Sequence, residues 1–145
     1  KNFKPIIFDQ EGIYKDLKAN ISISTVQQDE IEFNENRFVS FFSLNERQFP
    51  LRFRKWKTGD RIKPLGMNGR SKLISDILID RKVSLLDKEK VFVLEELENS
   101  EIIWLVGFTI SELYKVKPNQ SCVRIMFQME KESEQFEALL QNFSL

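Results

Sequence analysis

Residues 51–82 read LRFRKWKTGDRIKPLGMNGRSKLISDILIDRK, a stretch holding three of the chain's five glycines and ten Lys or Arg side chains. Leu51 and Phe53 alternate with Arg52 and Arg54, so the spacing predicts a strand that buries the first pair and presents two guanidiniums on one open face. Pro50 biases Phe49 toward extended backbone ahead of it. Thr58-Gly59-Asp60 is a turn signal. Ile62 and Leu65 are expected to return to the core around Pro64, and Gly66 and Gly69, flanking Met67-Asn68, to shape a tight loop that projects Arg70 and Lys72. Ser71 is expected to cap a helix beginning at Lys72, where Leu73, Ile74, Ile77 and Leu78 form a buried stripe opposite Asp76 and Asp80. That helix ends near Asp80, leaving Arg81 and Lys82 at the negative end of its dipole.

Outward from this unit, residues 91–94 and 102–106 predict two apolar strands joined by the polar connection 95–101 as a hairpin. Val123, Ile125 and Phe127 alternate as a last strand, and residues 108–116 carry no clear signal. Upstream, Ile6, Ile7 and Phe8 suit a short buried strand, and Ile21, Ile23 and Thr25 give period-two alternation. Residues 27–30 read as a turn, Ile31 and Phe33 as an extended piece, and residues 38–44 as a strand covered on both faces. Phe136, Leu139, Leu140 and Phe143 recur at i, i+3, i+4, i+7, which predicts an amphipathic C-terminal helix over residues 131–145. The expected architecture is a single α+β domain over 1–145, mostly short antiparallel strands with two helices. It divides into leading strands (1–48), a motif-bearing core (49–127) and the terminal helix.

Composition narrows the chemistry. A chain of 145 residues that is 41% hydrophobic and carries thirteen phenylalanines has the apolar surface for one real core. It has no histidine and one cysteine, Cys122, which excludes an internal disulfide, a zinc site, and Ser-His-Asp or Cys-His mechanisms. Cysteine usage points to the cytoplasm, and the apolar runs are too short to span a membrane. The first residue is Lys1, so the chain reads as part of something longer. Gly59, Gly66 and Gly69 fit neither phosphate-loop spacing, and Asp76 with Asp80 reads as a solvated helix face balanced by Lys72 and Arg81.

Formal net charge is zero, yet residues 52–90 carry a balance of +7 and the remainder −7. A local field of that kind can steer a polyanion even when the sum vanishes. Arg52, Arg54, Arg61, Lys63, Arg70, Lys72, Arg81 and Lys82, together with Lys55 and Lys57, are the candidate phosphate contacts, since folding could converge them from a strand, two turns and a helix end. The plainer alternative is a solvated surface paired with the acidic remainder. Trp56, between two lysines, suits either base stacking or the core. Trp104 and Cys122 read as core, and Met67 as a gap-filler.

The whole stretch resembles the C-terminal domain of bacterial tRNA(Ile)-lysidine synthetase, whose members show L-R-x-W-x-x-G-D-R-x-x-P-L-G-M-x-G-x-x-K-L-x-D-x-x-I-D-x-K-V. The match runs over residues 51–83 and continues through Ile103-Trp104-Leu105-Val106-Gly107 and Tyr114-Lys115-Val116. The resemblance implies a fold similar to a domain of the phenylalanyl-tRNA synthetase β subunit. It also implies a parent enzyme that joins lysine to an anticodon cytidine of an isoleucine tRNA, with ATP and magnesium used by an N-terminal ATP-pyrophosphatase domain absent from this sequence. The fragment itself is then expected to be inactive and to bind the tRNA acceptor stem through Arg52, Arg54, Arg61, Lys63, Arg70, Lys72, Arg81 and Lys82. Its other expected partners are the catalytic domain of its own protein and, in the alternative reading, a second copy, with the apolar tail as the docking surface. Two departures stand out: one extra residue precedes Trp56, and Gly107-Phe108-Thr109-Ile110 stands where many members of the resembled family have Gly-x-Arg-Ile.

Overall fold

Hydrophobic alternation along most of the chain is answered by strands that lay one apolar face against another. The computed structural model describes residues 4–9, 12–15, 19–31, 36–44, 49–120 and 122–129. They open with β1 (Ile6–Phe8), β2 (Gly12–Lys15), β3 (Ala19–Val26) and β4 (Val39–Phe42). The motif contributes β5 (Leu51–Lys55), the pair β6 (Arg61–Ile62) and β7 (Lys72–Leu73), and helix α1 (Ile74–Asp80). A four-residue helix α2 (Leu85–Lys88) precedes the hairpin strands β8 (Phe92–Glu96) and β9 (Glu101–Leu105), then β10 (Thr109–Ile110) and β11 (Cys122–Met129).

Two antiparallel sheets result. One has the order β1-β5-β8-β9-β10, the other β2-β3-β11-β4, and β6-β7 form a separate ribbon. Aromatic rings join the two large sheets. Phe53 of β5 and Phe92 of β8 lie 4.5 and 5.8 Å from Phe127 of β11, and Phe42 of β4 meets Trp104 of β9 edge-on at 5.7 Å. Phe42, Phe53 and Phe127 are all buried, and each such ring contributes both buried area and about 0.5–1.5 kcal/mol per favourable ring pair.

Strand β8 is buried at all five positions, Glu95 and Glu96 included. Both its faces are therefore covered. Register pairs Phe53 with Leu94 and Trp104 on the face toward the second sheet, and Arg54 with Val93 and Leu105 on the other. Against β9 lies β6, and Ile62, Ile74 and Leu78 join the same core. The second sheet holds Ile21, Ile23, Val123 and Ile125 inward, as their alternation predicts.

Some expectations are corrected here. Helix α1 begins at Ile74, not Lys72, because Lys72 and Leu73 pair with Ile62 and Arg61 as a strand. Its N-cap is Leu73, without a side-chain cap, and the Ile74 N–H donates to the Asp60 carbonyl at 2.9 Å instead. Leu65 does not return to the core; it is 48% exposed. Residues 108–116 form β10 and a 3-10 turn at Glu112–Tyr114. The predicted C-terminal helix over 131–145 lies outside the described residues.

Candidate nucleic-acid interface

Arg52 and Arg54 share a face, as alternation requires, but that face is not open. The turn after β5 folds back so that Asp60 meets the Arg54 guanidinium in a two-pronged contact, Nη1 to Oδ2 at 2.9 Å and Nη2 to Oδ1 at 3.1 Å. Glu95, on the neighbouring strand, accepts from Arg54 Nε at 2.7 Å and Arg52 Nε at 2.8 Å. Arg54 and Asp60 are each only 9% exposed and Glu95 6%. Burial disfavours the Arg54 charge, but hydrogen bonds to Asp60 and Glu95 outweigh it and raise its pKa further. For Glu95, burial opposes ionisation, and hydrogen bonds from Arg54 and Arg52 override it and hold the carboxyl below its usual range. The reading of Arg54 as an outward cation is thereby corrected. Its charge belongs to a neutral cluster of two arginines and two carboxylates.

Asp60 also fastens the turn, accepting the Lys57 N–H at 2.7 Å, while its carbonyl receives Ile74. The Gly-Asp-Arg triplet is therefore a clasp: Gly59 takes φ 97° to make the turn, Asp60 ties strand to helix, and Arg61 starts the ribbon. Across the ribbon's loop, Asn68 (φ 55°) and Gly69 (φ 80°) are bridged by Arg70 N–H to Met67 O at 3.0 Å. Two left-handed residues inside such a bond make a primed turn, the reason for Asn-Gly at this place.

The ribbon and its loop carry Arg61, Arg70 and Lys72, with Arg61 on the face of Leu73 and Lys72 on the face of Ile62. Arg61 donates from Nε to Ser71 Oγ at 2.6 Å, the contact that replaces the expected helix cap, and remains exposed. Arg70 is exposed and hydrogen-bonds within its own turn, through Nε to Met67 O at 3.4 Å. Lys72 pairs with Asp80 at 2.5 Å, and Lys63 with Glu101 at 3.5 Å. Lys63, Arg61 and Ser71 border a depression of about 360 Å³ whose floor includes Arg54 and Glu95.

Arg81 and Lys82 sit apart, at the end of α1. The Arg81 guanidinium lies 5.3 Å over the Phe108 ring. Lys82 is exposed with φ 59°. Its N–H donates to Ile79 O and the Val83 N–H to Leu78 O, at 2.9 and 3.0 Å. This is the helix-ending motif that ordinarily places glycine where Lys82 stands. Among the described residues, none of Arg61, Arg70 and Lys82 is held in an ion pair.

Trp56 packs on the core side, half-buried, with Nε1 donating to Lys88 O at 2.7 Å. Thr109 receives the Leu65 N–H on Oγ1 at 3.4 Å and so anchors the loop. Sequence reasoning missed Glu95 and Glu96, although two acids within an apolar strand are a signal of buried partners. Glu96, fully buried, accepts from Tyr114 OH at 2.6 Å and Asn99 Nδ2 at 3.0 Å. Burial, followed by that acceptor, pushes the Tyr114 pKa up. The Gly66 N–H of the glycine loop donates to a carboxylate, Glu112 Oε1, at 3.3 Å. The described residues contain no cluster of metal-binding side chains and no helix long and apolar enough to cross a membrane.

Residues 50–127, which include the arginine–carboxylate cluster, the ribbon and the hairpin, match the family model of the TilS substrate C-terminal domain. The chain belongs to that family. A tRNA(Ile)-lysidine synthase of Caldanaerobacter subterraneus is 32% identical over 116 residues, covering 80% of this chain and 23% of the relative. One from Clostridium perfringens is 35% identical over 134 residues, covering 88% and 25%. The chain thus spans about a quarter of the length of these curated relatives. A crystal structure of a TilS C-terminal domain superposes with a TM-score of 0.66 at 16% identity, covering 88% of this chain and 99% of that one. The TilS C-terminal fold is accordingly the α+β arrangement of antiparallel strands and two helices seen here.

Proposed function

We propose that this domain is a non-catalytic tRNA holder. It would position the acceptor stem while a catalytic domain of the parent protein, using ATP, joins lysine to the anticodon cytidine. Family membership supports the tRNA-lysidine context, since the relatives are tRNA(Ile)-lysidine synthases. The observation that carries the role is the contrast among the cations: Arg61, Arg70 and Lys82 are exposed and outside ion pairs among the described residues, on the ribbon, its turn and a helix end. Such groups contact phosphates without reading sequence, which suits a duplex stem. Arg52, Lys63, Lys72 and Arg81 flank them in a supporting role, each already engaged by a protein group.

Binding of an RNA stem-loop by the chain, titrated against salt, tests this. Affinity should fall steeply with salt, and Arg61→Glu with Arg70→Glu should weaken binding and flatten the slope by about one for each phosphate contact removed. A salt-independent response, or full binding by the double variant, would overturn it.

A second reading, docking on the parent protein's catalytic domain or on a second copy, has its own observation. Ile79, Leu85 and Leu86 are 60%, 81% and 73% exposed around the end of α1 and in α2. Size-exclusion of the chain with Leu85→Ser and Leu86→Ser separates the two, because self-association would disappear while RNA binding persists.

A further inference from the structure

A groove of about 500 Å³ opens between β4 and the turn leading into β10, within the range of small-ligand sites at about 300–1,000 Å³. Its walls include Phe41, Leu65 and Phe108, with Trp104 in its lining and Arg37 at its side. Phe41 and Phe108 are only partly buried, and Leu65 is 48% exposed, an apolar side chain held out of the core by its loop. Two polar groups here are already answered within the protein: Asn36 Oδ1 receives the Phe38 N–H, and the Thr109 hydroxyl donates to the Ile110 carbonyl. Beside these groups the groove presents apolar surface from Phe41, Leu65 and Phe108, with Arg37 in its lining. The Arg81 guanidinium lies over the ring of Phe108, one of the groove's walls; burial and then the nearby Arg81 charge lower the Arg37 pKa.

Apolar and aromatic platforms next to cations are the composition that takes unpaired bases regardless of sequence. The groove is also continuous with the ribbon loop, since Leu65 and Gly66 donate to Thr109 and Glu112 on its far side. An RNA stem held at Arg61 and Arg70 would bring its end toward Leu65. We propose that this groove holds one unpaired nucleotide at the end of the bound stem, its base against Leu65, Phe41 and Phe108 and its phosphate near Arg37 and Arg81. The assignment rests on the RNA-binding reading above.

The test compares two RNA hairpins by fluorescence anisotropy at one salt concentration, one blunt and one with a single-stranded 3′ extension. The extension should tighten binding roughly tenfold, the worth of one stacked base. Leu65→Ser, at an exposed position, and Phe108→Leu, which keeps most of the volume, should each remove most of that gain while the blunt hairpin binds as before. If the extension adds nothing, or Leu65→Ser weakens both RNAs equally, the groove assignment falls and the stem-binding reading stands. If neither RNA binds, both fall together.

Discussion

Arg54 and Arg61 are seven residues apart in one motif, yet folding gives them opposite roles. Arg54 lies on the sheet face that the Gly59-Asp60 turn covers, and its guanidinium is enclosed by Asp60 and Glu95. Arg61 stands on the ribbon beyond that turn, exposed and anchored only to Ser71. The same side chain is a structural tie in one place and an available cation in the other. What separates them is whether a later segment folds over the face each occupies, which is a tertiary fact.

The largest effect should come from breaking the tie. Arg54→Ala leaves Asp60 buried without its guanidinium and Glu95 with Arg52 alone, and stability should drop by about 3–5 kcal/mol, read as a lower urea midpoint. The same cluster sets a pH response. Because the folded pKa of Glu95 is depressed, its stabilisation is fully present above the ordinary carboxylate range and is lost as pH falls through the folded value. Urea midpoints measured from neutral to acidic pH should therefore decline less steeply for Glu95→Gln, which starts from a lower stability. Tyr114→Phe tests the other buried carboxylate: removing the hydroxyl that Glu96 accepts should cost about 2 kcal/mol, visible in the same titration.

Exposed cations should behave in reverse. Lys82→Gly relieves a left-handed backbone at a lysine and should raise stability by about 1 kcal/mol, while RNA affinity falls. Smallest of all, Asp80→Asn breaks the partly exposed pair with Lys72 and should change stability by less than about 1 kcal/mol. A large loss there would show that surface pairing, and not the buried cluster, organises the motif.

Much of the framework was legible because it is local. Alternation in β3, β5 and β11, and two apolar runs around a polar link in β8 and β9, follow from period-two burial alone. The Leu51-Arg52-Phe53-Arg54 pattern correctly put the arginines on one face, but alternation has no term for what covers a face. Ser71 looked like a cap because it precedes a helical stripe, whereas Arg61, ten residues earlier, competes for its hydroxyl. Leu65 looked like core by hydrophobicity and was held outward by the loop around Gly66 and Gly69. The family pattern put these cations forward as one set, without distinguishing the enclosed Arg54 from the exposed Arg61.

Asp60 makes that distinction matter at the bench. One carboxylate grips Arg54 and the Lys57 N–H, and the same residue's carbonyl receives the first N–H of α1, so strand, ribbon and helix hang from a single hinge pin. A mutational screen scored only by RNA retention would rank Arg54 and Asp60 beside Arg70. Thermal melts run in parallel would sort them: losses that vanish on cooling belong to the pin, and losses that persist at every temperature belong to the surface proposed to meet phosphates.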